Sequence, residues 1–318
     1  MLNFVMGHNI RLLTKIATLR YKIGLNQQQI ADRLGMSRQT VGRYLQSAHQ
    51  DGVVEITIRS PLMHCSELET ELESAFNLVE AIVITPPANT EESVKDALGI
   101  AGAEFVERRV QEGDTISVSW STTVLACAEH LQPVSCDNIT VVQMNGSMDQ
   151  AAFSTRAEYI VDRIAQALNA EQTTLTVPLL VDRADILESL LTDSRISAAL
   201  EQARRADFAI FGVGDITKKS SLYKASYMDD ELLIRLQEAG AVGDICGRYF
   251  NAAGEICLPD VDERTLAIEL PNLRQKRLAV AIAGMPHKTQ AILGMLKGNC
   301  CNVLITDEET AISVLDGR

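Results

Sequence analysis

The chain has no run of eighteen apolar residues in its 318, which excludes a membrane-spanning helix. Its opening, MLNFVMGHNIRLLTK, lacks a basic start, a long apolar stretch and a small-residue cleavage site. A secretory signal is therefore not expected, and the expected compartment is the cytoplasm. Histidine is scarce, with five in all. His8 and His49 fall in the N-terminal segment, His64 in a connecting stretch and His130 at a helix end, so only His287 sits in a loop suited to a binding site. There is no Ser-His-Asp constellation, no metal-ligand spacing and no Walker loop. No cofactor or metal is expected. The seven cysteines form no CxxC pair and are odd in number, the pattern of reduced thiols used as small apolar side chains. Adjacent Cys300 and Cys301 would alternate faces if they lay on a strand. Neither an internal repeat nor a low-complexity tract interrupts the chain.

What is present divides the molecule in two. Hydrophobic residues make up 46% of the chain, enough for a sizeable core, and the length suits one small and one large domain. The net charge of −13 is unevenly spread: residues 1–60 hold eight Lys and Arg against three Asp and Glu, a net of +5, which leaves −18 for the rest. A basic module on an acidic body suits a protein that places one end on phosphates and keeps the other away. The expected domains are residues 1–60 and 61–318.

Within the first sixty residues, Ile10, Leu13, Ile16, Ala17 and Leu19 recur at helical spacing, and the helix they predict ends near Gly24. Asn26 then reads as the cap of a short helix, QQQIADRLG, with Ile30, Ala31 and Leu34 turned inward. Gly35 ends it. Ser37 caps a third helix whose inward face is Val41, Tyr44, Leu45 and Ala48, and Gly52 stops that helix. The tight Gly35-Met36 connection is that of a helix-turn-helix. The following VVEITIR alternates like a strand and predicts a wing. In this arrangement the second helix braces across the DNA backbone while the start of the third enters the major groove. The side chains offered there are Arg38, Gln39, Thr40 and Arg43: Arg can grip guanine, Gln can pair with adenine, and Thr can meet a phosphate or a thymine methyl. Ser37 opens the helix toward a phosphate, and Gln27 and Gln28 are placed for phosphate contacts.

From Pro61 the pattern becomes alternating strand and helix. Apolar strands read from EAIVIT, TISVSW, ITVVQM, DFAIFGVG, AVGDI, LAVAIAGM and CNVLITD, with helical segments between them. This predicts an α/β domain built on an open, mainly parallel sheet covered on both faces. Ligands in such sheets bind beyond the carboxyl ends of the strands. Four segments have that placement: Ser121-Thr122-Thr123, Asn145-Gly146-Ser147, Gly212-Val213-Gly214, and Met285-Pro286-His287-Lys288. Asp244, between two glycines, is a fifth candidate; it can accept two sugar hydroxyls or cap the turn that follows.

The segment IADRLGMSRQTVGRYLQSAHQDGVVEITI resembles the helix-turn-helix of the SorC family of sugar-responsive bacterial regulators. VGDICGRYFNAAGE, RTLAIELPNLRQKRLAVAIAG and KTQAILGMLKGNCCNVLITDEETA are similar to the C-terminal half of that family, so the resemblance spans essentially the whole chain. It implies a winged helix-turn-helix followed by a Rossmann-like domain similar to sugar-phosphate isomerases. It implies a phosphorylated sugar or polyol as effector, operator DNA as partner, and self-association into dimers or tetramers. It further implies that Lys288 and the Ser121–Thr123 loop hold a phosphate, that Asp244 takes sugar hydroxyls, and that Asn145, Gly146, Ser147 and Gly214 line the pocket. Two departures stand out. Ser121 occupies a position where the family's loop carries glycine, and the strand-end glycine pair is reduced to Gly146-Ser147. Both put a side chain where a backbone would approach a phosphate closely.

The expected function is that of a transcriptional regulator whose operator binding responds to a small carbohydrate. The alternatives are a sugar-phosphate isomerase or deaminase with a DNA-binding arm, and a ligand-independent nucleoid protein. The first would need a general acid/base such as Asp244, and the second is at odds with a basic surface confined to one module.

Overall fold

The computed structural model describes residues 2–54, 63–147 and 157–318. The chain falls into two compact units, Met1–Met63 and His64–Arg318. The first is three helices: α1 (Leu2–Tyr21), α2 (Gln27–Leu34) and α3 (Arg38–Gln50). Asn26 and Gln29 start α2 with a reciprocal capping box, each side chain accepting from the other's backbone N–H at 2.9 Å. Gly35 ends α2 at φ 63°, and its N–H and that of Met36 close on the Ala31 carbonyl. Only a residue free to turn left-handed ends a helix so abruptly. Ser37 then opens α3 by accepting from the Thr40 N–H at 3.1 Å. Ile16, Leu19, Ile30, Ala31, Val41 and Leu45 form the core, and each larger aliphatic contributes about 1.5–3 kcal/mol by leaving water.

Ile10 departs from the sequence-based expectation and is exposed, because the packing partners on α3 reach Leu12 and Leu13 but not the preceding turn. The expected wing strand, from Glu55 onward, lies outside the described residues.

The second unit carries a seven-stranded sheet in the order β1-β10-β9-β5-β2-β3-β4, with all neighbours parallel. The strands are β1 (Glu80–Ile84), β2 (Thr115–Val118), β3 (Thr140–Gln143), β4 (Glu171–Thr173), β5 (Phe208–Phe211), β9 (Leu278–Ile282) and β10 (Val303–Asp307). Between β1 and β4 run α5 (Glu91–Arg109), α6 (Thr122–His130) and α7 (Ala157–Leu168), preceded by α4 (Met63–Phe76). Alternate residues of single strands enter opposite cores: Phe208 and Ile210 join one, Ala209 and Phe211 the other. A sheet dry on both sides explains why these strands read as unbroken apolar runs. Buried Lys276 donates to the carbonyls of Ala203 and Arg204 at 2.7 and 2.6 Å, so an ammonium closes the C-terminus of the helix Ser194–Arg205.

A second sheet was not foreseen. β6 (Gly214–Asp215), β7 (Ala241–Ile245) and β8 (Arg248–Asn251) form an antiparallel ribbon of their own. AVGDI therefore belongs to a hairpin beside the parallel sheet rather than to the sheet itself. Cys300 and Cys301 are buried in the turn before β10, not on a strand, and all seven cysteines are free thiols.

The helices α5 and α6 meet backbone to backbone. A Cβ at Gly99 would stand 2.6 Å from the Ala126 Cβ and 2.7 Å from its carbonyl carbon. Gly99→Ala is expected to lower stability by about 1–3 kcal/mol through overpacking, measured by urea unfolding; an unchanged midpoint would contradict this packing.

Candidate functional site

On the first unit, the geometry of α2 and α3 presents one polar face. Arg38, Gln39 and Arg43 are exposed, and their side chains make no hydrogen bond among the described residues. The hydroxyls of Ser37 and Thr40 lie 2.8 Å apart, so both are partly engaged with each other. Gln28 donates to Asp32 at 2.9 Å, while Gln27 lies across α3 against the face where Gly42 leaves room. Arg20, Asn26, Gln27, Gln28 and Arg38 surround a cleft of about 450 Å³. Arg20 is the residue the sequence pattern missed: it sits at the end of α1, outside the two-helix motif, and only folding brings it beside Gln27. Tyr21 of α1 and His49 of α3 meet at 3.0 Å, which fixes the ends of these two helices.

On the second unit a cavity of about 1020 Å³ opens where the carboxyl ends of β1, β2, β5, β9 and β10 converge. The volume lies at the upper end for small-molecule sites. Ser121, Thr122, Thr123, Gly214, Asp244 and Lys288 all line it, together with Asp215. Three of the four strand-end segments and the hairpin thus come together.

Ser121 caps α6, its Oγ accepting from the Val124 N–H at 3.0 Å and lying 3.1 Å from the Thr123 hydroxyl. Thr123 in turn donates to the Ile282 carbonyl at 2.8 Å. Both hydroxyls are therefore occupied internally, as is the Val124 N–H, which leaves the Thr122 hydroxyl and the N–H groups of Thr122 and Thr123 at the cavity wall. Ser121 also lies against Gly212, where a Cβ would be 2.5 Å from its Oγ. The serine at the family's glycine position is accommodated by the absence of a side chain opposite.

Lys288 follows β9 on a 3-10 turn, Pro286–Lys288. Its Nζ donates to the Val213 carbonyl at 3.0 Å, and burial pushes its pKa down against the opposing charges of Asp215, Asp244 and Glu91. The turn begins at Met285, a non-glycine residue at φ 79°. Asp307 holds it there by accepting from the Met285 N–H at 2.6 Å. Asp244 is 7% exposed. Its Oδ2 accepts from the Gly247 N–H at 3.0 Å, and its Oδ1 lies 1.9 Å from where a Gly214 Cβ would be. Gly214 is thus the floor under this carboxylate, and it lines the cavity as well. Burial, first of all, raises the Asp244 pKa to about 6; the Asp215 charge adds to this, while the Gly247 N–H and Lys288 oppose it. Arg248 anchors the hairpin by donating to the carbonyls of Ile268 and Ala267 at 2.8 and 2.7 Å and to Asp262 at 2.6 Å.

Asn145, Gly146 and Ser147 do not line this cavity. The backbone of Pro178 and Leu179 lies on the face where a Gly146 Cβ would be, at 2.6 and 2.7 Å. Ser147 bonds to the Leu175 carbonyl at 3.1 Å, and Asn145 is fully buried with neither side-chain polar atom paired among the described residues. The pocket role expected for this segment gives way to packing: β3 stands one strand outside the convergence, and the segments around Leu179 and Leu266 cover its end.

A helix-turn-helix on one unit and an open cavity with polar groups at the switch point of a parallel sheet on the other are the parts of a ligand-responsive DNA-binding regulator. Residues 60–316 match the Sugar-bind family of sugar-binding domains, and residues 10–65 match the Crp-like helix-turn-helix domain. The deoxyribonucleoside regulator of Bacillus subtilis is 33% identical over 306 residues, covering 96% of this chain and 97% of that protein. The sorbitol operon regulator of Klebsiella pneumoniae is 30% identical over 305 residues, covering 95% and 97%. The crystal structure of that full-length regulator superposes with a TM-score of 0.76 at 31% identity, covering 97% of this chain and 99% of that one. The chain belongs to the SorC family of transcriptional regulators.

Because the Asp244 pKa is raised from 3.8 to about 6, the folded state binds this proton more tightly than the unfolded one. Its contribution to stability is present below about pH 4 and is lost as pH rises through 6. Asp244→Asn, which stays neutral, is expected to gain stability relative to the wild type over this range, on the order of 3 kcal/mol, read as a growing difference in unfolding midpoint between pH 4 and pH 7.

Proposed function

We propose that the cavity binds a phosphorylated sugar or polyol and that this binding changes the affinity of paired helix-turn-helix units for an operator. The observation that carries the reading is the convergence of a helix start, a half-buried ammonium and a buried carboxylate in one cavity. The Thr122 and Thr123 N–H groups, the Thr122 hydroxyl and Lys288 suit a phosphate. Asp244 suits sugar hydroxyls. Relatives named for deoxyribonucleoside and sorbitol regulation support a carbohydrate ligand. On the DNA side, Arg38, Gln39 and Arg43 read bases, while Ser37, Thr40, Gln27 and Gln28 contact phosphates. One unit makes few base contacts, so two or four copies act together on one duplex. The ligand switches affinity only if it binds one arrangement of the assembly better than another.

One observation favours a second reading. A carboxylate titrating near 6 in a sugar-sized cavity is also what an isomerase base needs. Release of product from sugar phosphates by the purified protein would support that enzyme. The relatives, all named as regulators, support sensing instead.

Arg38→Ala and Arg43→Ala are each expected to weaken operator binding by about 1–3 kcal/mol in a fluorescence-anisotropy titration, with ligand binding retained. Lys288→Ala is expected to keep operator binding and lose the response to the ligand. Unchanged operator affinity in both arginine variants, or a normal response in the lysine variant, would refute the respective assignment.

A further inference from the structure

Asp215 lies at the end of β6, next to Gly214 and opposite Gly243 of β7. It is 7% exposed, as Asp244 is, and both line the cavity. Each carboxylate is half satisfied. Asp215 accepts the Thr217 hydroxyl on Oδ2 at 2.7 Å, and Asp244 accepts the Gly247 N–H on Oδ2 at 3.0 Å. In both, Oδ1 has no donor among the described residues, and neither carboxylate forms an ion pair there. The cation nearest in effect is Lys288, on which Asp215 acts more strongly than Asp244. That ammonium is directed at the Val213 carbonyl, 3.0 Å away.

The two carboxylates present two open acceptors beside the Lys288 ammonium, at one end of a cavity that Lys218, Lys219 and Lys224 also line. Neither Oδ1 is among the buried unpaired atoms, so each is an acceptor open to the cavity, and a ligand hydroxyl can donate to it. Hydroxyls bring donors without charge. A phosphate brings further negative charge and acceptors only, so it is repelled from this part of the cavity.

Resting on the reading of the cavity as a carbohydrate site, we propose that Asp215 is a second hydroxyl-accepting residue beside Asp244, and that the pair restricts the ligand to one with free hydroxyls at this end. The ligand class is then a polyol or sugar with at most one phosphate, seated at the start of α6. A second phosphate is disfavoured at this end.

Calorimetric titration of the full chain tests this, with pentose, hexose, pentitol and hexitol monophosphates, their free parents, and a hexose bisphosphate as probes. The wild type is expected to bind one of the first two classes at least about tenfold more tightly than the bisphosphate. Asp215→Asn, which keeps an acceptor for Thr217, is expected to weaken the preferred probe about tenfold and narrow the preference over the bisphosphate by a similar factor. Asp215→Ser serves as a second, smaller variant, and operator binding by both reports that they fold. A wild type that prefers the bisphosphate overturns the proposal while the carbohydrate reading stands. Affinities and preference within twofold of wild type in both variants, with Asp244→Asn defective, overturn it equally. Binding of no probe by the wild type removes the carbohydrate reading and the proposal with it.

Discussion

Parallel strands all leave their sheet at the same end, and the location of the cavity depends on that constraint. In the order β1-β10-β9-β5-β2-β3-β4, the chain proceeds outward from β2 to β3 and β4, then returns to β5 and proceeds the other way. Loops leaving β2 and β5 therefore diverge, and the gap between them cannot be closed by a crossover helix. Ser121 and Gly212 meet across this junction, and the loops after β9, β10 and β1 complete the walls. Asn145 leaves a strand on the far side of β2 and is roofed by other segments.

The cavity is set by close backbone approaches more than by flexible side chains. Gly214 receives the Asp244 carboxylate, and Gly212 receives Ser121. Gly284 receives Asp307, whose Oδ2 would lie 2.3 Å from a Cβ there, and the same Asp307 holds the Met285 turn that presents Lys288. Each polar group is held by a fixed neighbour, so a ligand meets an organised site rather than ordering one. The DNA-reading face has the opposite character. Arg38, Gln39 and Arg43 are exposed on a small scaffold, their side chains unbound among the described residues. A regulator needs both a site for a small molecule and a surface for DNA.

The helix-turn-helix was legible because its signals are local. Asn26, Gly35 and Ser37 act within four residues of themselves, so reading the chain in order recovers both helix starts and the turn. The parallel sheet was legible because two dry faces force continuous apolar strands such as FAIF and LAVAI. The ribbon of β6, β7 and β8 was not, since AVGDI has the same apolar look whether its partner is parallel or antiparallel. Ile10 has helical spacing yet no neighbour to cover it.

The sequence alone determined the caps and the turn of the helix-turn-helix, the long buried strands, the uneven spread of charge, and the residue types offered at each strand end. These follow from short-range sterics, hydrogen bonding and hydropathy. Only the tertiary structure decided which strand ends share a cavity: Asp215 and Asp244, twenty-nine positions apart, become neighbours of Lys288, while Ser147 turns away. That choice depends on strand order and on which loops are roofed, properties of the assembled chain that no residue's own neighbourhood encodes.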